Sequence, residues 1–290
     1  MAELQFKKAT KTAARGRIAL IGPAGSGKTY TALAIATGLG SKIAVLDTER
    51  GSASKYADLF AFDTLELDSF EPQKYIEVIH AAEEAGYDVL IIDSLSHAWM
   101  GRGGALEQVD QASKRSKSGN SYTAWRDVTP VHNALVDAML GAKLHVIATM
   151  RTKSEYVIEE NSNGKKVPRK IGLAPVQREG MDFEFDVTGE LDHENNLVID
   201  KTRCPTLKGK MFNQAGAEVA AILRAWLTDG APMPPSFGEE MIALYEQCQS
   251  LDDEKELTAN ISANKHKLNG DRDKVMAARK ATLERLGATT

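Results

Sequence analysis

Gly22-Pro23-Ala24-Gly25-Ser26-Gly27-Lys28-Thr29 is the stretch from which the rest of this chain can be read. It follows a short apolar run, Ile18-Ala19-Leu20-Ile21, and opens onto Tyr30-Thr31-Ala32-Leu33-Ala34-Ile35-Ala36, which has the composition of a helix. Strand, glycine-rich turn and helix with G-x-x-x-x-G-K-[ST] spacing form a loop that grips a phosphate chain. Gly22, Gly25 and Gly27 permit backbone dihedrals that a Cβ forbids, so successive N–H groups can turn toward an anion. The following helix, entered at Tyr30, adds the positive end of its dipole. Lys28 is placed to reach the β- and γ-phosphates, and the Thr29 hydroxyl to ligate Mg²⁺. The loop therefore predicts a bound nucleoside triphosphate.

Working outward, Ser41 to Asp47 is a β-branched run that reads as a buried parallel strand. It ends in Asp47-Thr48-Glu49-Arg50-Gly51, and a carboxylate just past the carboxyl end of such a strand lies where open α/β sheets bind ligands. Glu49 is thereby a candidate to polarise the water that attacks the γ-phosphate, the other reading being a solvated loop acid. A weaker strand is expected at Phe62–Leu67 and a helix from Pro72 to about Ala85. Tyr87-Asp88-Val89-Leu90-Ile91-Ile92-Asp93-Ser94 is an apolar strand ending in an acid, and Asp93 is expected to hold Mg²⁺ together with Thr29. Strand Lys143–Thr149 ends in Met150-Arg151-Thr152-Lys153, which puts Thr149 and Arg151 in reach of the γ-phosphate.

Two segments interrupt this alternation. Ser113-Lys114-Arg115-Ser116-Lys117-Ser118-Gly119-Asn120 has the small, polar, basic composition of a mobile loop. Ser154–Glu160 and Lys165–Lys170 flank Asn161-Ser162-Asn163-Gly164, a hairpin signal. One arm is acidic and the other basic, so cross-strand pairing explains them without a ligand. The functional alternative is a contact surface for a polynucleotide backbone, with Lys114, Arg115, Lys117, Arg151, Lys153, Lys165, Lys166, Arg169 and Lys170 as its charges. A helix is expected at about Tyr122–Leu140, broken or kinked at Pro130. Met181–Leu191 alternates apolar and polar residues and pairs with Leu197–Lys201 as an antiparallel hairpin at the sheet edge. That hairpin delivers Lys201 and Arg203, and a helix over Ala215–Thr228 closes the domain.

These elements partition the chain into a core, 1–229, a Pro-rich linker, 230–238, and a helical segment, 239–290, with interruptions near Ser250-Leu251 and Asn269-Gly270-Asp271. Of the 290 residues, 42% are hydrophobic and 26% charged, the profile of a globular chain. The net charge of −4 requires any nucleic-acid contact to rest on local basic patches. Cys204 and Cys248 form no C-x-x-C pair, which argues for reduced thiols and against a disulfide framework or structural zinc. Met1–Arg17 lacks the apolar core of a signal peptide, and no apolar run approaches bilayer length, so no membrane association is expected.

The loop Gly22–Thr29, the Asp47-Thr48-Glu49 segment and the Leu90-Ile91-Ile92-Asp93-Ser94 strand end resemble the RecA-like branch of P-loop ATPases over roughly residues 15–228. The resemblance implies an α/β fold with a mostly parallel central sheet flanked by helices, an antiparallel edge hairpin and a small C-terminal helical segment. It implies Lys28, Glu49, Asp93 and Thr149 as catalytic residues, with Gly22–Tyr30 on the nucleotide and ATP and Mg²⁺ as cofactors. It also implies a ring or filament in which Lys201 and Arg203 reach the neighbouring subunit's ATP. Thr149-Met150-Arg151 falls where RecA carries its γ-phosphate sensor, but the glutamine of RecA is absent. Within that branch the layout is most similar to short, core-only phage ATPases of single-strand annealing and recombination. That implies single-stranded DNA and a single-strand-binding protein as partners, and the cytoplasm of a bacterial host as location. A nucleotide-switched assembly or loader protein is the rival reading. A small-molecule kinase is disfavoured, because no arginine-rich lid is evident.

Overall fold

The computed structural model describes residues 10–11, 13–115, 121–160, 166–231, 235–268 and 271–287. Its centre is a sheet built from β1 (Arg17–Gly22), β2 (Ile43–Asp47), β3 (Asp63–Glu66), β4 (Val89–Asp93), β5 (His145–Glu160), β6 (Lys166–Pro175), β7 (Val187–Leu191), β8 (Asn196–Thr202) and β9 (Met211–Asn213). The spatial order is β3-β2-β4-β5-β1-β7-β8-β9, with β6 pairing only β5. Strands β3 to β7 along this path run parallel, and β8 and β9 add an antiparallel edge. The fold is the expected α/β arrangement with an edge hairpin.

The central strands are uninterrupted apolar runs because both of their faces are covered. Helices α1 (Lys28–Leu39) and α6 (Ala217–Thr228) cover one face, over Ile18, Leu20, Val45, Val89, Ile91 and Ile147. The other face packs Ile21, Leu46, Leu90, Ile92 and Val146 under α2 (Pro72–Glu84) and α5 (Ser121–Gly141). Each such buried aliphatic side chain contributes about 1.5–3 kcal/mol. Between β4 and α5 lie α3 (Ser96–Met100) and α4 (Ala105–Arg115), where Trp99 stacks on Trp125 with centroids 5.4 Å apart.

Four expectations about the core need correction. Strand β5 and the first arm of the β5–β6 hairpin are one sixteen-residue strand. Residues Arg17 to Gly22 pair with Val146 to Arg151, and from Thr152 onward β6 is the partner, so the strand simply leaves the sheet where β1 ends. The alternation at Met181–Asp186 is not a strand: Met181–Glu184 is a 3₁₀ turn that buries Met181 and leaves Phe183 exposed, and β7 begins only at Val187. Of the break or kink expected at Pro130 the break does not occur: helix α5 continues through this residue, which sits on an exposed face where solvent can meet the carbonyl that its missing N–H leaves unbonded. Lys114 and Arg115 belong to the last turn of α4 rather than to a loop.

Beyond the core, α7 (Phe237–Gln247), α8 (Leu251–Ala263) and α9 (Arg272–Arg285) bury Met241, Tyr245, Ile261, Leu268 and Val275 among themselves. Helix α7 starts inside the span read as linker, because Ser236 and Glu239 form a reciprocal capping box that fixes its first turn. The unit is tied to the core through Asp271, which meets Ser236 Oγ at 2.9 Å and forms an ion pair with Lys143. No helix of the described residues is long and apolar enough to cross a membrane.

Candidate phosphate-binding and hydrolysis site

At the carboxyl end of β1 the chain enters the predicted loop. Gly25 and Gly27 have φ of 80° and 81°, the left-handed region that β-carbons disfavour. A Cβ on Gly27 would also lie 2.5 Å from Asn195 Oδ1, so this turn is glycine for two independent reasons. Gly27 is the N-cap of α1 and supplies no side-chain acceptor, and the first turn of the helix carries no acid. Its N–H groups and positive dipole end thus remain open to an anion. Ser26 Oγ is buried without a hydrogen-bond partner, a donor available for the same ligand.

Three strand ends converge on this loop. Thr29 Oγ1 donates to Asp93 Oδ2 at 2.6 Å, and Thr149 Oγ1 donates to Asp93 Oδ1. Asp93 is almost wholly buried, and desolvation raises its pKa despite both hydroxyls. A divalent cation would offset that cost, and a carboxylate beside a threonine hydroxyl is the hard-oxygen set that Mg²⁺ uses with phosphates. The residues present therefore fit Mg²⁺, with Thr29 and Asp93 as its holders. Among the described residues no cluster of three or more His, Cys, Asp or Glu forms a self-sufficient metal site, so substrate oxygens would complete the shell. Lys28 Nζ donates to Pro23 O at 2.7 Å, and desolvation lowers its pKa against the pull of Asp93 and Glu49.

Glu49 stands at the end of β2 on a turn braced by Asp47, a residue whose bracing role no sequence pattern announces. The buried Asp47 carboxylate accepts from Glu49 N at 2.7 Å and from Ala53 N at 2.9 Å. Thr48 ties the same turn to the β4 end, accepting from Ser94 N at 2.8 Å and meeting His97 Nδ1 at 2.7 Å. Burial lowers the His97 pKa, and its ring stacks on Phe70 with centroids 5.0 Å apart. Glu49 itself is not free: Arg151 Nε donates to Oε1 at 2.9 Å, and Nη2 bonds Oε2.

The loop also opens into a cavity of about 490 Å³ lined by Lys28, Thr29, Tyr30, Tyr56, Asn195 and Gln214. Tyr30 contacts Tyr56 and Phe60 edge-on at 5.8 and 5.3 Å, which places two tyrosine rings on the cavity wall with Phe60 behind them. Asn195 and Gln214 both adopt positive φ, 62° and 50°, and Gln214 N donates to Asn195 O at 3.1 Å. Sequence offered only the hairpin joining Met181–Leu191 to Leu197–Lys201 here; no local pattern announces that its turn folds against the P-loop. A larger cleft, of about 690 Å³, lies between α2 and the C-terminal helices and shares no lining residue with this cavity.

The remaining predicted site residues are dispersed. Lys201 donates to Phe183 O at 2.8 Å and to Phe185 O, and Arg203 Nη1 donates to Asp186 Oδ1 at 2.8 Å. Thr202 pairs with Val187, opposite Ile18 near the start of β1, so both cations sit at the sheet end away from their own P-loop. Lys114, Arg115 and Lys153 are exposed, while Arg151 is committed to Glu49 rather than presented as a surface charge. Lys166, Arg169 and Lys170 lie on β6, and Lys117 and Lys165 lie outside the described residues.

The sequence profile of a family described as an AAA domain matches residues 14–213, from just before β1 to the last residue of β9. A comparison with curated proteins finds no match.

Proposed function

Since the chain belongs to the AAA domain family and carries a P-loop ATPase-type domain, we propose that it is a Mg²⁺-dependent ATPase that binds single-stranded DNA and promotes strand annealing or exchange. The observation that carries the hydrolytic half is the convergence of Lys28, Thr29, Asp93 and Glu49 at one end of the sheet. Lys28 and the loop amides orient the phosphates, while Thr29 and Asp93 hold the cation that neutralises developing charge. Glu49, aimed by Asp47, polarises the attacking water. Thr149 acts one step removed, by fixing the Asp93 carboxylate.

The DNA half is supported by continuity. Arg151 is the last residue of β5 paired to β1, and the β5–β6 hairpin, carrying Lys153, Lys166, Arg169 and Lys170, departs from the next residue. A polyanion on that hairpin would thus act one residue away from the partner of the catalytic glutamate. ATP would lie between subunits of a ring or filament, with Lys201 and Arg203 supplied by the neighbour after leaving their present partners. A single-strand-binding protein would be the companion on the strand.

The test is the ATPase rate with and without single-stranded DNA, read beside DNA affinity at two salt concentrations. Stimulation by DNA is expected. Replacing Lys165, Lys166, Arg169 and Lys170 with alanine should lower affinity and reduce the salt slope by about one for each phosphate that is no longer neutralised. An unchanged slope removes the hairpin from the DNA site. A rate indifferent to DNA favours the rival reading, in which nucleotide state gates a protein partner through α7–α9.

A further inference from the structure

We propose that Arg151 is a positioning residue with two clients: it holds Glu49 in the arrangement seen here, and it transfers to the terminal phosphate of a bound nucleoside triphosphate, releasing Glu49 to the attacking water. This deepens the ATPase reading and rests on it. Three observations carry the idea. First, the guanidinium fork occupies both oxygens of Glu49, Nε on Oε1 at 2.9 Å and Nη2 on Oε2. A carboxylate held in this way has its orientation set by the cation and not by a water. Second, the Arg151 backbone is fixed where the phosphates must lie. It stands opposite Gly22, the first residue of the P-loop, in the β1–β5 register. Its N–H donates to Ser96 Oγ at 2.9 Å, and its carbonyl accepts from Val176 N at 2.7 Å. The exchange is therefore a swing of the side chain about a stationary anchor. Third, the pair is exchangeable. The Arg151 and Glu49 side chains retain 42% and 23% of their exposure, so solvent already competes for the contact.

Guanidinium binds carboxylate and phosphate with the same bidentate geometry, and a terminal phosphate offers more charge and a third oxygen. Glu49 and that phosphate thus compete for one group. A diphosphate lacks the terminal phosphate and leaves the pair intact. Nucleotide state is thereby read by the residue that controls the base.

Linkage turns this competition into a measurable sign. Glu49→Gln removes the charged rival while keeping its shape. Affinity for a non-hydrolysable ATP analogue with Mg²⁺, measured by calorimetry, should therefore tighten about 5- to 10-fold, while affinity for ADP stays unchanged. Arg151→Gln should weaken the analogue about 10-fold and leave ADP unchanged, and in the Arg151→Gln background Glu49→Gln should give no gain. Arg151→Lys, which keeps the charge but loses the fork, should restore part of the preference for triphosphate. ADP binding in each variant reports that the site is folded. The proposal is overturned if Glu49→Gln shifts both nucleotides equally, or if its gain persists without Arg151. A parent protein that binds neither nucleotide would instead overturn the ATPase reading itself.

Discussion

Both ends of the central sheet bury charge, and they treat it in opposite ways. At the amino-terminal end, Arg17 donates to Gly16 O at 3.2 Å and Leu144 O at 2.9 Å through Nη1, and to Leu140 O at 3.0 Å and Ala142 O through Nη2, capping the end of α5. His145 Nδ1 accepts from Gly16 N at 2.9 Å, and Asp88 Oδ2 accepts from Ser41 N and Lys42 N at 2.8 and 3.0 Å. Lys201 and Arg203 end on carbonyls and on Asp186 at this same end. At the carboxyl end, side chains bond mostly to one another around Asp93 and Glu49, Lys28 Nζ holds a single carbonyl, and Ser26 Oγ has no partner. One end is closed by its own backbone, and the other is built from groups that can exchange partners. Cations at a strand end therefore serve their own subunit's site only when they are not already satisfied by local partners.

The comparison can be broken most severely at Glu49. Glu49→Gln should lower phosphate release by about 10³-fold with nucleotide binding retained, since a positioned base contributes that order of rate. Hydrolysis at the parental rate would show that the carboxyl end does not carry the base. At the opposite end the expected effect is on folding alone. Arg17→Met strips donors from buried carbonyls and should cost about 3 kcal/mol in urea unfolding, with turnover per folded molecule unaltered. A loss of turnover at unchanged stability would erase the distinction between the two ends.

His145 sharpens the comparison through pH. Burial, with Arg15 and Arg17 nearby, lowers its pKa from 6.5 to about 4, against a weaker opposing pull from Asp88. The unfolded chain binds this proton more readily than the folded one. Stability should thus be full above about pH 6.5 and fall as pH drops toward about 4, by at most about 3 kcal/mol. His145→Gln should flatten that slope in unfolding titrations between these limits; an unchanged slope would assign it to other groups. The smallest effect is expected at Lys143, whose ion pair with Asp271 ties α7–α9 to the core. Lys143→Met should speed proteolysis within 230–236 while shifting core stability by about 1 kcal/mol or less.

The grouping of Lys28, Thr29, Glu49 and Asp93 at one end of the sheet was legible because its signals are local. Gly25, Gly27, Lys28 and Thr29 must lie close together in sequence to turn amides and a lysine onto one anion, Asp93 ends an apolar run that reads as a buried strand, and Glu49 follows two residues after another. Ser236 with Glu239 was equally readable, and only the nearby prolines hid it. Asn195 and Gln214 were not, since their meeting with Gly27 depends on the β7–β8 turn folding back over the P-loop. The strand misread at Met181–Asp186 shows the limit of alternation, because a 3₁₀ turn with one buried anchor produces the same pattern.

By itself the sequence determined the phosphate grip, the order of strands and helices around it, and the acids at two strand ends. These follow from backbone freedom at glycine and from apolar periodicity, both of which act over a few residues. Tertiary structure alone decided which groups are already engaged. It spent Lys201 and Arg203 on carbonyls and Asp186, set Thr149 on Asp93, and joined Arg151 to Glu49 across 102 positions of chain. Partner choice among charges depends on distance and burial in three dimensions, and no spacing along the chain encodes it.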